Sequence, residues 1–459
     1  MKHTSEQRVL FPDLNDKPVV VQFSAPTESS DGGSVLFEAI DRGLGLTQRL
    51  ADAIHDPRQP GKIDHSMVDL IRQRVYAIAC GYPCGNDADR LAHDPVMKLV
   101  CGRAPQDVED RLGSQPTLSR LENLVTRTDL LRMAYGLAET VIDRQARRRR
   151  PKKVRRVTID LDPTDDPTYG DQQQTFFHAY YDTWCYLPVV VTIQIEDDPE
   201  HHVVAAILRP GNASGAQGAI AILKRLVRRL RKTFPRAELL LRADGAFATP
   251  PVLDWAEDEG LEYLINLPVN EVLRDRAERW MKQARKLHAK SGQTEHVFSE
   301  FFYRTQKTWR QSRRVVLKAE VTVCTGRSPK DNPRFVVTNR RCSPKHEYGV
   351  YVQRGEMENR IKELLHGLRF DLTSCTRFLA NQFREIVTVA ALVLYQHLRY
   401  AAAGTELERA QVWTLRERLI KIGVRVVESV RRIFLDAPRS YPWASLWRKI
   451  AMACGALSG

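Results

Sequence analysis

Cysteine is sparse and unpaired in this sequence: eight residues, at 80, 84, 101, 185, 324, 342, 375 and 454, with no Cys-x-x-Cys pair. That spacing excludes a zinc ribbon and implies reduced thiols; between Cys80 and Cys84, Gly81 and Pro83 favour a turn over a metal site. Long apolar runs are also missing. The longest, Ile386 to Tyr395, is well short of the ~20 residues a membrane-spanning helix needs. The opening Met1-Lys-His-Thr-Ser-Glu-Gln-Arg8 lacks the apolar stretch of a secretory signal. A cytoplasmic protein without membrane contact is therefore expected. Acidic residues are in deficit, 56 Asp+Glu against 70 Lys+Arg, and the net charge of +14 implies attraction to a polyanion, with nucleic acid favoured over an anionic membrane. With 43% hydrophobic and 27% charged residues, disorder is excluded, and 459 residues leave room for about three domains.

Organisation along the chain follows from where the apolar spacing changes. Residues 1–35 are polar and rich in Ser, Asp and Gly, with one strand-like run at 18–23, and are expected as an arm or lead-in. From 36 to 143 the spacing is helical: Met67 to Ala79, capped by Asp64 or Ser66, then short helices at 88–91, 95–100 and 117–127. A helix-turn-helix unit inserts the first residues of one helix into the major groove, so Gln115, Thr117, Ser119 and Arg120 of this DNA-binding region are candidate base contacts. An ordinary helical bundle with a Ser/Thr cap is the competing reading. Nine Arg or Lys crowd into 144–156, expected as a basic linker, where Arg147, Arg148, Arg149 and Arg150 are candidate contacts to backbone phosphates.

At 157 the period becomes that of strands. Runs at 157–162, 186–195 and 202–208 read as strands, followed by a helix at 215–234, a strand at 237–244, a helix at 250–259 and a strand at 262–267. Three strands and then alternating helix and strand give an α/β fold with a mixed sheet, the order of an RNase H-like catalytic core over 157–268 and 334–400. Residues 269–333, a basic helix near 272–287 followed by β-rich runs at 296–303 and 314–324, read as an insertion domain that is partly β. Apolar helices are expected near 377–400 and 415–433, the second in a C-terminal helical region over 401–459.

Three carboxylates stand out against these elements. Asp162 ends Val157-Thr-Ile-Asp-Leu-Asp162, Asp244 ends Glu238-Leu-Leu-Leu-Arg-Ala-Asp244, and Glu358 lies in Tyr351-Val-Gln-Arg-Gly-Glu-Met-Glu358-Asn-Arg-Ile-Lys362, which reads as a charged helix. Acids brought from three segments to one sheet edge suit Mg²⁺ or Mn²⁺, which take oxygen ligands. Two such ions about 4 Å apart activate a water and steady the leaving oxygen of a phosphodiester. Asp160, on the same strand face as Asp162, is the competing ligand. On a helix Tyr351, Arg354 and Glu358 share one stripe with Lys362 a turn beyond, which suits a metal ligand flanked by groups that grip phosphates; a surface ion-pair ladder is the alternative.

These segments, with Gly81-Tyr-Pro-Cys-Gly-Asn-Asp-Ala-Asp-Arg-Leu91, Ser114-Gln-Pro-Thr-Leu-Ser-Arg-Leu-Glu-Asn123 and Asp160-Leu-Asp-Pro-Thr164, resemble a DDE transposase of a bacterial insertion sequence. The closest resemblance is to the insertion-sequence family numbered 1380. It implies an RNase H-like core with a β-rich insertion before the last acid, and Asp162, Asp244 and Glu358 as the metal-binding triad. The family pattern of Asp, one residue, Thr matches Asp162-Pro163-Thr164. In the wider group Tyr, Arg, Glu and Lys recur along the last helix; this chain has Tyr351, Arg354 and Glu358 but Leu365 at the Lys position, so Lys362 is its substitute. Related transposases stack a flipped base on a Trp of the insertion, which implies Trp309, with core packing as the alternative. The implied activity is cut-and-paste transposition with two Mg²⁺ or Mn²⁺ ions: a homodimer binds terminal inverted repeats, nicks them and joins the 3′-hydroxyl to target DNA, with the second strand cut through a hairpin in related enzymes. A structure-directed nuclease and a catalytically silent, transposase-derived DNA-binding protein are the rival readings.

Overall fold

Strands buried on both faces need near-continuous apolar sequence, and the runs at 157–161, 189–195 and 239–243 meet that need. They form the middle of a nine-stranded mixed sheet in the computed structural model, which describes residues 9–11, 17, 19–22, 27–305 and 308–457. Its strands are β1 (Arg156–Pro163), β2 (Val189–Ile195), β3 (His202–Ile207), β4 (Glu238–Ala243), β5 (Glu262–Leu267), β6 (Glu295–Tyr303), β7 (Arg313–Thr322) and β8 (Arg334–Thr338). The order across the sheet is β6-β7-β8-β5-β4-β1-β2-β3, and the short strand Lys330–Asp331 pairs with β7. β1 is antiparallel to β2 and β2 to β3, whereas β4 lies parallel to both β1 and β5.

The helices that carry the argument are α1 (Met67–Ala79), α2 (Gln115–Leu124), α3 (Arg127–Arg148), α4 (Ala219–Thr233), α5 (Pro250–Asp258), α6 (Glu271–Ser291), α7 (Pro344–Val352), α8 (Gly355–Lys362) and α9 (Phe378–Ala401). Parallel neighbours require a crossover, and α4 and α5 supply those leading into β4 and β5. α1 starts at Ser66, whose hydroxyl accepts from the Asp69 amide while Asp69 returns the bond, a reciprocal cap.

Several sequence expectations change here. The helical segment 36–143 is not a domain apart: α1 packs on α9, α3 packs on β3, and one buried cluster runs from Leu36 to Ala451. The basic run is not a free linker, because α3 continues to Arg148 and a 3₁₀ turn occupies Pro151–Lys153. The insertion extends the core sheet, since β7 pairs with β8 and β8 with β5, and α6 packs on β6 and β7. The helix expected at 415–433 is helical only from Val412 through Ile420 and gives way to two antiparallel strands, Val424–Glu428 and Ile433–Asp436; the alternation in Val424-Arg-Val-Val suits strands. The lead-in is tied down there as well, by pairing of Glu28–Ser29 with Val424–Glu428. The run at 18–23 appears as Val19–Val21, paired with Val9–Phe11, while residues 18 and 23 lie outside the described residues. Among the described residues α9 is long and apolar enough to cross a membrane, but 83% of its most apolar window is buried, so it is a core helix.

Candidate active site

Register places the first two acids side by side. Leu161 of β1 is the neighbour of Ala243 of β4 in a parallel pair, so Asp162 and Asp244 leave adjacent strand ends together. Asp244 then caps the turn that follows, accepting from the Ala246 amide at 3.0 Å. The third acid arrives from α8. Arg354 Nη1 donates to Asp162 Oδ2 at 2.7 Å and its Nη2 to Glu358 Oε1 at 3.4 Å, so one guanidinium joins the strand acid to the helix acid. Tyr351 lies beside it, with the Arg354 guanidinium carbon 6.0 Å from the ring centre. The stripe is not carried on one continuous helix: α7 ends at Val352 and α8 begins at Gly355, with the Arg354 amide donating to the Tyr351 carbonyl at 3.0 Å. Gly355 is a poor helix former at the point where the chain breaks.

Electrostatics separate the acids. Burial pushes the Asp162 carboxyl up to about 7, with Asp244 and Glu358 adding repulsion and Arg354 opposing it. Burial also raises Asp244. Asp160 is a different kind of acid. It is fully buried, accepts from Arg242 Nε at 2.7 Å and Nη2 at 2.8 Å, and lies 3.2 Å from His201 Nδ1. Burial raises its pKa, but Arg242 and His201 outweigh that and hold it below the usual carboxylate value. Arg242 also donates to the Val350 carbonyl at 2.8 Å, tying β1 and β4 to α7. The geometry therefore corrects the alternative that made Asp160 a metal ligand: both its oxygens are engaged by a neighbouring strand.

Trp309 is likewise corrected as a base-stacking residue. It is 4% exposed, its ring meets Tyr303 edge-on at 5.5 Å, and the Arg313 guanidinium lies 5.0 Å over it. Packing occupies the ring, as the core alternative had it. Lys362 is exposed, one turn beyond Glu358 on α8. The four residues expected on the reading helix split between two faces of α2: Thr117 and Arg120 line a cavity of about 790 Å³ with Arg58, Lys62 and Arg103, whereas Gln115 and Ser119 line another of about 340 Å³ with Asn86 and Arg384. Of the basic run, Arg147, Arg148, Arg150, Lys152, Lys153 and Arg155 are exposed. Arg148 lies 3.1 Å over the Tyr400 ring and Arg149 donates to Gln145 and Asp198, so these two are engaged within the protein.

Two groups escaped the sequence reading. Glu200 receives Arg360 at 2.8 Å and Arg399 at 2.9 Å, Arg360 also reaches Glu363 at 3.0 Å, and Arg399 bonds Glu363, so a buried four-residue ion network grips α8 from behind Glu358. The alternation of charge in Glu358-Asn-Arg-Ile-Lys-Glu363 was its only sequence signal. Arg209, 5% exposed, donates to the carbonyls of Leu187, Ser214 and Gly215 at 2.7, 3.0 and 2.6 Å and supports the loop beside Asp244.

With this geometry in place, the comparison with known families is decisive: the model for the transposase DDE domain, group 1, matches residues 11–457. The chain belongs to that family. No curated protein matches the sequence of this DDE transposase. Among solved structures it is similar to Ciona intestinalis endonuclease V bound to a 23mer DNA containing an inosine followed by a ribo-adenosine. That match has 14% identity over 46% of this chain and 86% of the other, and at a TM-score of 0.23 it carries no argument.

The transposase's acids fit a hard divalent cation in donor chemistry, since all three offer carboxylate oxygens. Asp162 and Asp244 repel one another, and Arg354 supplies the positive charge between Asp162 and Glu358. Among the described residues no three His, Cys, Asp or Glu side chains lie close enough to share one ion; Glu358, 52% exposed, stands off on its guanidinium.

Proposed function

We propose that this DDE transposase is the enzyme of a bacterial insertion sequence, binding terminal inverted repeats, nicking them and joining the freed 3′-hydroxyl to target DNA. The observation that carries the reading is the placement of Asp162 and Asp244 on adjacent parallel strand ends, with Glu358 of α8 tied to Asp162 through the Arg354 guanidinium. The strand order β3-β2-β1-β4-β5, with β2 alone reversed among these five, supports an RNase H-like core. Asp162, Asp244 and Glu358 would hold Mg²⁺ or Mn²⁺, and two bound ions would supply an activated water and charge on the leaving oxygen. The protein's own residues do the rest. Arg354 presents two N–H arms that a phosphate can take over from the carboxylates, and Lys362 adds a point charge one turn away. Exposed Arg147 and Arg150 would hold the backbone without reading sequence. A homodimer would bridge two ends, and second-strand cutting through a hairpin belongs to the same proposal.

The test is strand transfer. A pre-nicked repeat end, taken from DNA flanking the gene, should join to supercoiled plasmid in Mg²⁺. Cleavage without joining would favour the structure-directed nuclease. Binding with neither reaction would favour the silent DNA-binding protein, against which the presence of all three acids speaks.

A further inference from the structure

Between β1 and β2 the chain leaves the main sheet and forms a small three-stranded one from Asp166–Pro167, Phe176–His178 and Thr183–Tyr186. Large aromatic rings usually gain stability by burial. Here Tyr169, Phe176, Phe177, Tyr180 and Trp184 all face solvent, Tyr180 at 84% and Trp184 at 55% exposure. Phe177 and Trp184 are opposed across the two strands with ring centres 6.4 Å apart, and Tyr180 and Tyr181 stand edge to face at 5.0 Å on the turn.

The hairpin is anchored at its base. Gly211 passes so close that a Cβ there would sit 2.1 Å from the Cys185 carbonyl oxygen, and its amide donates to the Gln174 carbonyl at 3.3 Å. The Gln173 amide donates to the Thr376 carbonyl at 2.9 Å. The hairpin adjoins the acids: its first strand begins at Asp166, four residues after Asp162, and just past its last strand the Leu187 carbonyl accepts from Arg209, which also bonds Gly215, packed against Ala246 beside Asp244. From 164 to 186 the chain holds no Lys or Arg, but it does hold Asp165, Asp166, Asp171 and Asp182. A surface of that charge repels phosphate and accepts uncharged ring faces, while the +14 of the whole chain leaves the backbone to be held elsewhere.

We propose that the aromatic hairpin at 166–186 is a stacking platform for unpaired nucleobases of the DNA strand that enters the acid site. The proposal rests on the transposase reading and adds to it the state of the DNA, melted locally beside the cleavage point. Every base has a π face, so the platform tolerates any sequence.

The test compares binding of an oligo-dT strand of ~20 nucleotides with that of a blunt duplex of equal length, using full-length protein and variants of Trp184 and Tyr180. The double variant Trp184→Ala with Tyr180→Ala should bind oligo-dT at least about fivefold more weakly, with duplex affinity unchanged within about twofold. Trp184→Phe with Tyr180→Phe, which keeps both rings, should bind oligo-dT nearly as well as the wild type. Equal oligo-dT affinity of the alanine and phenylalanine variants overturns the proposal, and so does a parallel loss of duplex binding. Wild-type protein that binds duplex but not oligo-dT overturns the platform and leaves transposition standing; protein that binds neither overturns both. A DNA-free dimer made monomeric by the alanine variant would assign the hairpin to a second copy of this chain and also overturn stacking.

Discussion

Replacing either aspartate of Asp160-Leu-Asp162 by asparagine keeps shape and removes charge, and the structure makes the two outcomes opposite in sign. Asp160→Asn leaves the Arg242 guanidinium buried without its carboxylate, and breaking a buried pair from one side costs about 3–5 kcal/mol. Asp162 is the reverse case. Its carboxyl rises from 3.8 to about 7 in the folded protein, chiefly by burial. The folded state therefore binds the proton more tightly than the unfolded chain, and wild-type stability falls as pH rises from about 4 to about 7. At about 1.4 kcal/mol per pH unit, the ionised group costs the fold up to about 4 kcal/mol above that range. Asp162→Asn removes this cost, so its advantage should be absent near pH 4 and full at about pH 8. The assay is urea unfolding in EDTA at about pH 5 and about pH 8, comparing midpoints at equal slope. An Asp162→Asn protein less stable than wild type at about pH 8, or an Asp160→Asn protein with no loss, would refute the assignment of one acid to the site and the other to the core.

Trp309→Ala should lose about 3–5 kcal/mol of stability, and Trp309→Phe far less, with nicking per folded molecule unchanged; denaturation and initial-rate assays check both. Glu200→Gln should leave Arg360 and Arg399 short of a carboxylate, loosen α8 and slow cleavage, which hydrogen exchange over 355–362 would show as lost protection. Neutralising exposed Arg147 and Arg150 should flatten the salt dependence of DNA binding by roughly 0.9 log units for each phosphate no longer neutralised, on specific and random duplex alike. Arg149→Ala should instead lower stability, because Arg149 bonds Gln145 and Asp198.

Elements whose apolar period lies within one segment were legible in the sequence. Met67–Ala79, Pro250–Asp258 and Glu262–Leu267 occur where spacing puts them, because local period and tertiary burial agree there. What sequence could not carry was partnership across the chain. Asp160 and Asp162 look alike in a strand, and their partners tell them apart: Arg242 and His201 for Asp160, Arg354 for Asp162. Nothing local to Trp309 separates a stacking ring from a packed one; Tyr303 and Arg313, which enclose it, do. The spacing of Tyr351, Arg354 and Glu358 predicts one helix; the chain breaks before Gly355, and the Arg354 side chain keeps the three together across the break. Val424–Glu428 pairs with the neighbouring Ile433–Asp436 and, over two positions, with Glu28–Ser29 at the far end of the chain; the apolar residues of 415–433 fit a helical period as well, and only that pairing selects the strand.

The central claim is that Asp162, Asp244 and Glu358 act as one set. Its most direct measurement is cleavage of a labelled repeat end in Mg²⁺ by Asp162→Asn, Asp244→Asn and Glu358→Gln, with binding to the same DNA followed in parallel. Each variant should bind within a few-fold of wild type and cut nothing detectable, since each removes metal-binding charge rather than DNA contacts. Full cleavage by any one of the three would contradict the account.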